Sequence, residues 1–156
     1  MALSRGRVFV ALPAALLLTT GLVLTALYFT FAPDVWYVDP AVLPELRAIG
    51  RVVGEDAETA HQWENSYVEF KYLVLHLDGG VKDEILAEAE QRLSRSGWHV
   101  SNRVPHKISL ESAGWPEAIL TVERLEEAGA LSDELREAVA AAELPVDEMV
   151  YVTVQG

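Results

Sequence analysis

Tyr67–Leu77, with the sequence YVEFKYLVLHL, is the stretch whose reading decides the fold. Val68, Phe70, Tyr72 and Val74 alternate along it with Leu73, Leu75 and Leu77, so both faces carry apolar side chains. A strand at the margin of a sheet, or one wetted on one side, shows a single apolar face. This one reads as a central strand. Asp78-Gly79-Gly80 stops it, and a helix follows over Val81–Ser96, with Ile85, Leu86, Ala89 and Leu93 on one face. Asp83 and Glu84 in its first turn, Arg92 and Arg95 near its end and Gly97 beyond it all suit the helix dipole and a glycine C-cap.

Downstream of that helix, Trp98 and Val100, then Ile108 and Leu110, then Ala118, Leu120 and Val122 alternate with polar neighbours as three short strands. Gly114 and Pro116 separate the last two. Ser132 caps a second helix to about Glu143, with Leu135, Ala138, Val139 and Ala142 facing inward. Pro145 ends it, and Val146–Val154 forms the last strand with Val150, Val152 and Val154 on one face. The order β-α-β-β-β-α-β predicts an α+β domain over residues 67–156, a ferredoxin-like α/β sandwich with an extra strand and both helices on one face of a mixed sheet.

Upstream, residues 33–66 read as a tether. Pro33, Pro40 and Pro44 interrupt regular structure, a short helix carries Leu43, Leu46, Ile49, Val52 and Val53, and Gly54–Thr59 is a polar loop. Val8–Ala32 contains no charged residue. As a helix these 25 positions extend about 37 Å, longer than the ~30 Å hydrocarbon core of a bilayer. They predict a single-pass transmembrane helix, and the membrane itself as a partner. Arg5 and Arg7 place a tail of residues 1–7 in the cytoplasm and the acidic domain on the other side of the cell membrane. A cleaved signal peptide fits less well, because the apolar run exceeds a normal h-region and Pro33 follows the small-residue site Thr30-Phe31-Ala32. Gly21 and Thr25 form a small-xxx-small pair of the kind that can join two such helices.

The composition narrows the function. The chain has 24 acidic residues against 12 basic ones, a formal net charge of −12, and no cysteine. Such a surface repels phosphate backbones, which argues against nucleic-acid binding. The missing cysteine excludes disulfides, thiolate metal sites and cysteine nucleophiles. His61, His76, His99 and His106 show no zinc-ligand spacing. His76 and Asp78 share one face of a strand end, and His99 and His106 flank a turn, which is the ordinary setting of such histidines. The serines lack a GxSxG elbow, and pairs such as Glu126-Glu127 or Asp147-Glu148 are expected on any surface this acidic. Asp78-Gly79-Gly80 resembles an anion-cradling turn but has no P-loop lysine. No cofactor or metal is expected. Of Trp63, Trp98 and Trp115, Trp98 reads as core, while Trp115, between Gly114 and Pro116, is the best candidate for a contact residue.

In its Ala/Val/Glu-rich composition and in Tyr72-Leu73-Val74-Leu75, Leu93-Ser94-Arg95-Ser96-Gly97-Trp98 and Gly114-Trp115, the chain resembles small, uncharacterised single-pass membrane-anchored proteins of high-GC Gram-positive (actinobacterial) type. That resemblance implies a place in the cell envelope and supplies no catalytic residues. The expected function is a non-enzymatic interaction or accessory module of the envelope. The alternatives are a hydrolase-like enzyme using His76 and neighbouring acids, and a small-ligand or signal sensor.

Overall fold

The computed structural model describes residues 20–27, 34–63, 66–79, 84–129 and 131–156. The chain divides into two units, Met1–Asp34 and Val35–Gly156. In the first, residues 20–27 are helical (α1), and the Thr25 hydroxyl donates back to the Gly21 carbonyl at 2.8 Å. Among the described residues no helix is long and apolar enough to cross a membrane. The expected transmembrane helix over 8–32, and with it the single-pass cell-membrane placement and extracytoplasmic domain, is therefore corrected. Residues 8–19 and 28–32 lie outside the described residues.

The second unit is built on a seven-stranded sheet. Its strands are β1 (Asp34–Trp36), β2 (Arg51–Trp63), β3 (Ser66–His76), β4 (Trp98–Val104), β5 (Lys107–Ser112), β6 (Trp115–Arg124) and β7 (Met149–Gln155). The spatial order is β1-β3-β7-β6-β5-β4, with β2 also paired to β3. The pairings β2–β3, β3–β7, β7–β6, β6–β5 and β5–β4 are all antiparallel, so no β-α-β crossover between parallel neighbours arises among them. The helices are α2 (Val42–Arg47), α3 (Ile85–Ser94) and α4 (Asp133–Ala142).

β3 is central, and its two apolar faces are both used. Leu73 and Leu75, with Val150, Val152 and Val154 of β7 and Leu120 and Val122 of β6, pack under α2 and α3 through Val42, Leu46, Ile85, Ala89 and Leu93. Val74 and Met149 point the other way and meet Leu135 of α4, with Val139, Tyr72 and Tyr151 packed around them. The expected sandwich with both helices on one face is thus corrected: α3 and α4 cover opposite faces. A side chain buried on each side of a pleated strand needs a covering element on each side.

Residues 33–66 also differ from the expected tether. The short helix is confined to Val42–Arg47, and the polar stretch Gly54–Thr59 belongs to β2, the longest strand. Its register runs opposite β3 from Arg51↔His76 to Trp63↔Ser66, with irregularities at Val52/Gly54 and His61/Trp63. Gly54 admits α4 to the sheet: a Cβ there would lie 3.0 Å from Ala138 Cβ and 3.1 Å from Leu135 Cδ2. Ser132 caps α4 as the sequence indicates, its hydroxyl accepting from the Leu135 amide at 3.3 Å. That hydroxyl and the Ala57 amide hold the Asp56 carboxyl below the usual carboxylate range, tying the start of α4 to β2. Arg47 of α2 reaches β2 as well, gripping Glu55 through Nε at 2.6 Å and Nη2 at 2.7 Å. This pair lowers the Glu55 carboxyl and raises the guanidinium.

Candidate functional site

Two tryptophans and one glutamate organise one end of the sheet. Gly97, at φ 87°, turns the chain out of α3 so that Trp98 opens β4, and Trp115 opens β6 after Gly114. In the register, Ser112 of β5 stands opposite both Trp98 and Trp115. Ser112 is small and buried, so the two indoles flank a side chain with little bulk of its own. Its Oγ accepts from the Gly114 amide at 3.2 Å, which fixes the turn into β6.

Glu45 lies over this pair. Val42 and Leu46 are fully buried and anchor α2 to the sheet, which leaves Glu45 half-buried at the helix flank. Its Oε2 accepts from Trp98 Nε1 at 3.2 Å and from Trp115 Nε1 at 3.1 Å. Two indole N–H groups on one carboxylate oxygen lock both rings, because each ring has only that single donor. Trp98 is buried and belongs to the core. Trp115 is half-buried, with its ring partly in the core and partly in the wall of a pocket.

That pocket has a volume of about 240 Å³ and lies between the Tyr37–Val42 segment and the start of β6. Tyr37, Asp39, Val42, Trp115, Pro116 and Glu117 line it, together with Gly114, Ala118 and Gly156. The segment on its far side is fixed in place. The Val38 amide donates to Glu69 Oε2 at 3.1 Å, the Ala41 amide donates to Asp39 Oδ1 at 2.9 Å, and the Val42 amide donates to the Asp39 carbonyl at 3.0 Å. Tyr37, Asp39 and Glu117 are exposed, so the mouth carries a phenol and two carboxylates. No lysine, arginine or histidine is among the lining residues.

The other residues singled out from the sequence lie elsewhere. His76 ends β3 on the α4 face with 6% of its surface exposed. Its Nε2 is 2.9 Å from Glu148 Oε2, and its Nδ1 lies 3.0 Å from Asp78 Oδ1 without hydrogen-bond geometry. Through Glu148 the ring fastens the end of β3 to the turn that precedes β7, and it does not line the Trp115 pocket. His99, opposite Glu111, and His106, in the β4–β5 turn, are both exposed and sit at opposite ends of the hairpin. His61 meets Tyr67 edge-on at 5.1 Å. Gly79 occupies a turn with φ 77°, and Gly80–Asp83 lie outside the described residues, as does the Trp63 side chain. Among the described residues no three His, Asp or Glu are grouped to hold a metal ion.

Glu45 was not legible as a site residue: a lone glutamate in VLPELR gives no sign of what it faces. The structure also shows a stacked row on the α4 face. Phe70 and Tyr72 lie 6.3 Å apart, and Tyr72 and Tyr151 5.8 Å, each at an interplanar angle of 6°. Burial, then the nearby Tyr72, Glu123 and Asp56, pushes the Tyr151 hydroxyl up to about 12. Burial and Glu58 raise Tyr72 as well. Phe70 and Tyr72 already share one face of their strand in the sequence, but only the β3–β7 register brings Tyr151 beside them.

No protein-family model matches the chain, and neither does any curated protein or solved structure.

Proposed function

We propose that the Val35–Gly156 unit is a binding module whose contact surface is the pocket at Trp115. The observation that carries this reading is the locked indole: a half-buried tryptophan, packed against the core and held by Glu45, forms part of the wall of a concavity. An immobilised aromatic wall suits recognition, since little side-chain entropy is lost on binding. The volume bounds what enters. About 240 Å³ is below the roughly 300–1,000 Å³ of sites for whole small-molecule ligands, so the pocket suits a side chain or a small group at the end of a larger partner. The buried position of His76 between two carboxylates favours this reading over the hydrolase-like one.

The test is a fragment titration of the 15N-labelled protein, with the Trp115 indole N–H signal assigned from W115F. Neutral, anionic and cationic fragments are added singly. Progressive, saturable movement of the Trp115 signal by at least one class is the expected result. Silence from Trp115 across all three classes would defeat the proposal.

A further inference from the structure

We infer that the Trp115 pocket receives the cationic tip of a lysine or arginine side chain presented by a partner polypeptide. The inference rests on the binding-module reading above and adds the chemistry of the occupant.

Four observations converge on a cation. Tyr37 and Trp115 put two aromatic rings in the lining, and tryptophan has the strongest attraction for ammonium and guanidinium groups. Asp39 and Glu117 place carboxylates at the mouth, and no cationic residue lines the pocket to neutralise them. Glu45 accepts the Trp115 indole N–H, so the ring's single hydrogen-bond donor is already taken and does not serve an anion. The whole chain carries −12, which raises the local concentration of cations and steers them inward. An anion meets the opposite of each condition.

The rest of the lining points to a side chain. The exposed Pro116 supplies apolar surface of the kind that accompanies the methylene stem of lysine or arginine, whose charged head stays in contact with carboxylates and water. A volume of about 240 Å³ holds such a tip and is too small to enclose a nucleotide or flavin.

The probes are Nα-acetyl-lysine N-methylamide and Nα-acetyl-arginine N-methylamide, with the norleucine derivative as the uncharged isostere. Each is titrated into the full-length protein while the Trp115 indole signal is followed. The charged derivatives should bind at least tenfold more tightly than norleucine and weaken as salt rises from 0.05 to 0.5 M, with norleucine unaffected. E117Q and D39N should each weaken the charged derivatives about two- to fivefold and leave norleucine unchanged, consistent with a single exposed charge contact. Asn retains the Asp39 turn bond to Ala41, so D39N tests charge and not folding. Equal binding of lysine and norleucine derivatives overturns the cation while leaving the pocket a binding site. No movement of Trp115 with any derivative or fragment overturns both. Cadaverine binding more tightly than the lysine derivative assigns the pocket to free amines and overturns the polypeptide source.

Discussion

Replacing Gly54 with alanine tests the placement of α4 on its own face of the sheet. The added methyl meets Ala138 Cβ at 3.0 Å and Leu135 Cδ2 at 3.1 Å, each a few tenths of an ångström inside comfortable contact. Overpacking of this kind costs about 1–3 kcal/mol. The substitution also removes glycine's freedom from the unfolded chain, a gain of about 0.4–1 kcal/mol. G54A should therefore lose up to about 2.6 kcal/mol in urea unfolding followed by far-UV circular dichroism. A138G alone should lose about 1 kcal/mol through helix propensity. In the double variant the methyl at 54 occupies the space vacated at 138, and only the Leu135 contact remains tight. The two losses then fall short of additivity by about 0.5–1.5 kcal/mol. Additivity within about 0.3 kcal/mol would falsify the contact, because residues that do not touch behave independently.

Two further perturbations probe other parts of the fold. E45A strips both indoles of their acceptor, and since the Trp98 ring is buried, its orphaned N–H should cost about 1–3 kcal/mol. E45Q, which keeps an acceptor oxygen, should recover much of that loss; E45A unfolding at the wild-type midpoint would show that the bridge contributes nothing. Tyr151 should shape the alkaline limb of stability. Its hydroxyl is raised from 10.0 to about 12 in the folded chain, so its contribution is whole below pH 10 and disappears as pH climbs from 10 through 12, where only the unfolded form is readily ionised. Y151F should lose stability less steeply across that window, leaving the smaller slope from Tyr72; an unchanged slope would remove Tyr151 as its source.

Much of the sheet from β3 onward was legible because those strands announce themselves locally. β3 showed apolar residues on both faces, β5 and β6 showed clean alternation, and the Ser132 cap marked α4. β2 was not legible. It carries Glu55, Asp56, Glu58 and Thr59, and it owes its strand conformation to the β3 ladder. Charges of this kind are common on strands with a neighbour on only one side. The sidedness of the helices was half-written in β3, whose Val74 requires cover opposite to that of Leu73 and Leu75. The amphipathic pattern of α3 or α4 says which side of a helix is buried and nothing about which side of the sheet receives it. Trp115 stood out by its Gly-Trp-Pro setting, whereas Glu45 and the Tyr37 segment join it only through tertiary contacts across some seventy residues.

The position of β7 sets a condition on how the chain is made. β2–β3 and β4–β5–β6 are each joined by neighbours close in sequence, and they can pair as soon as they emerge. Yet β7, the strand farthest along the described sheet's sequence, lies between β3 and β6 and joins the two blocks into one ladder. Until Met149–Gln155 is delivered, β3 and β6 each present an unpaired edge, and Leu73, Leu75, Leu120 and Val122 lack the valines that pack beside them. Closure of the sheet then waits for its last strand and spans long sequence separations, which makes it slow and leaves the earlier strands open to edge-to-edge association. A stop codon before Met149 would remove one strand by count and the continuity of the whole sheet in effect.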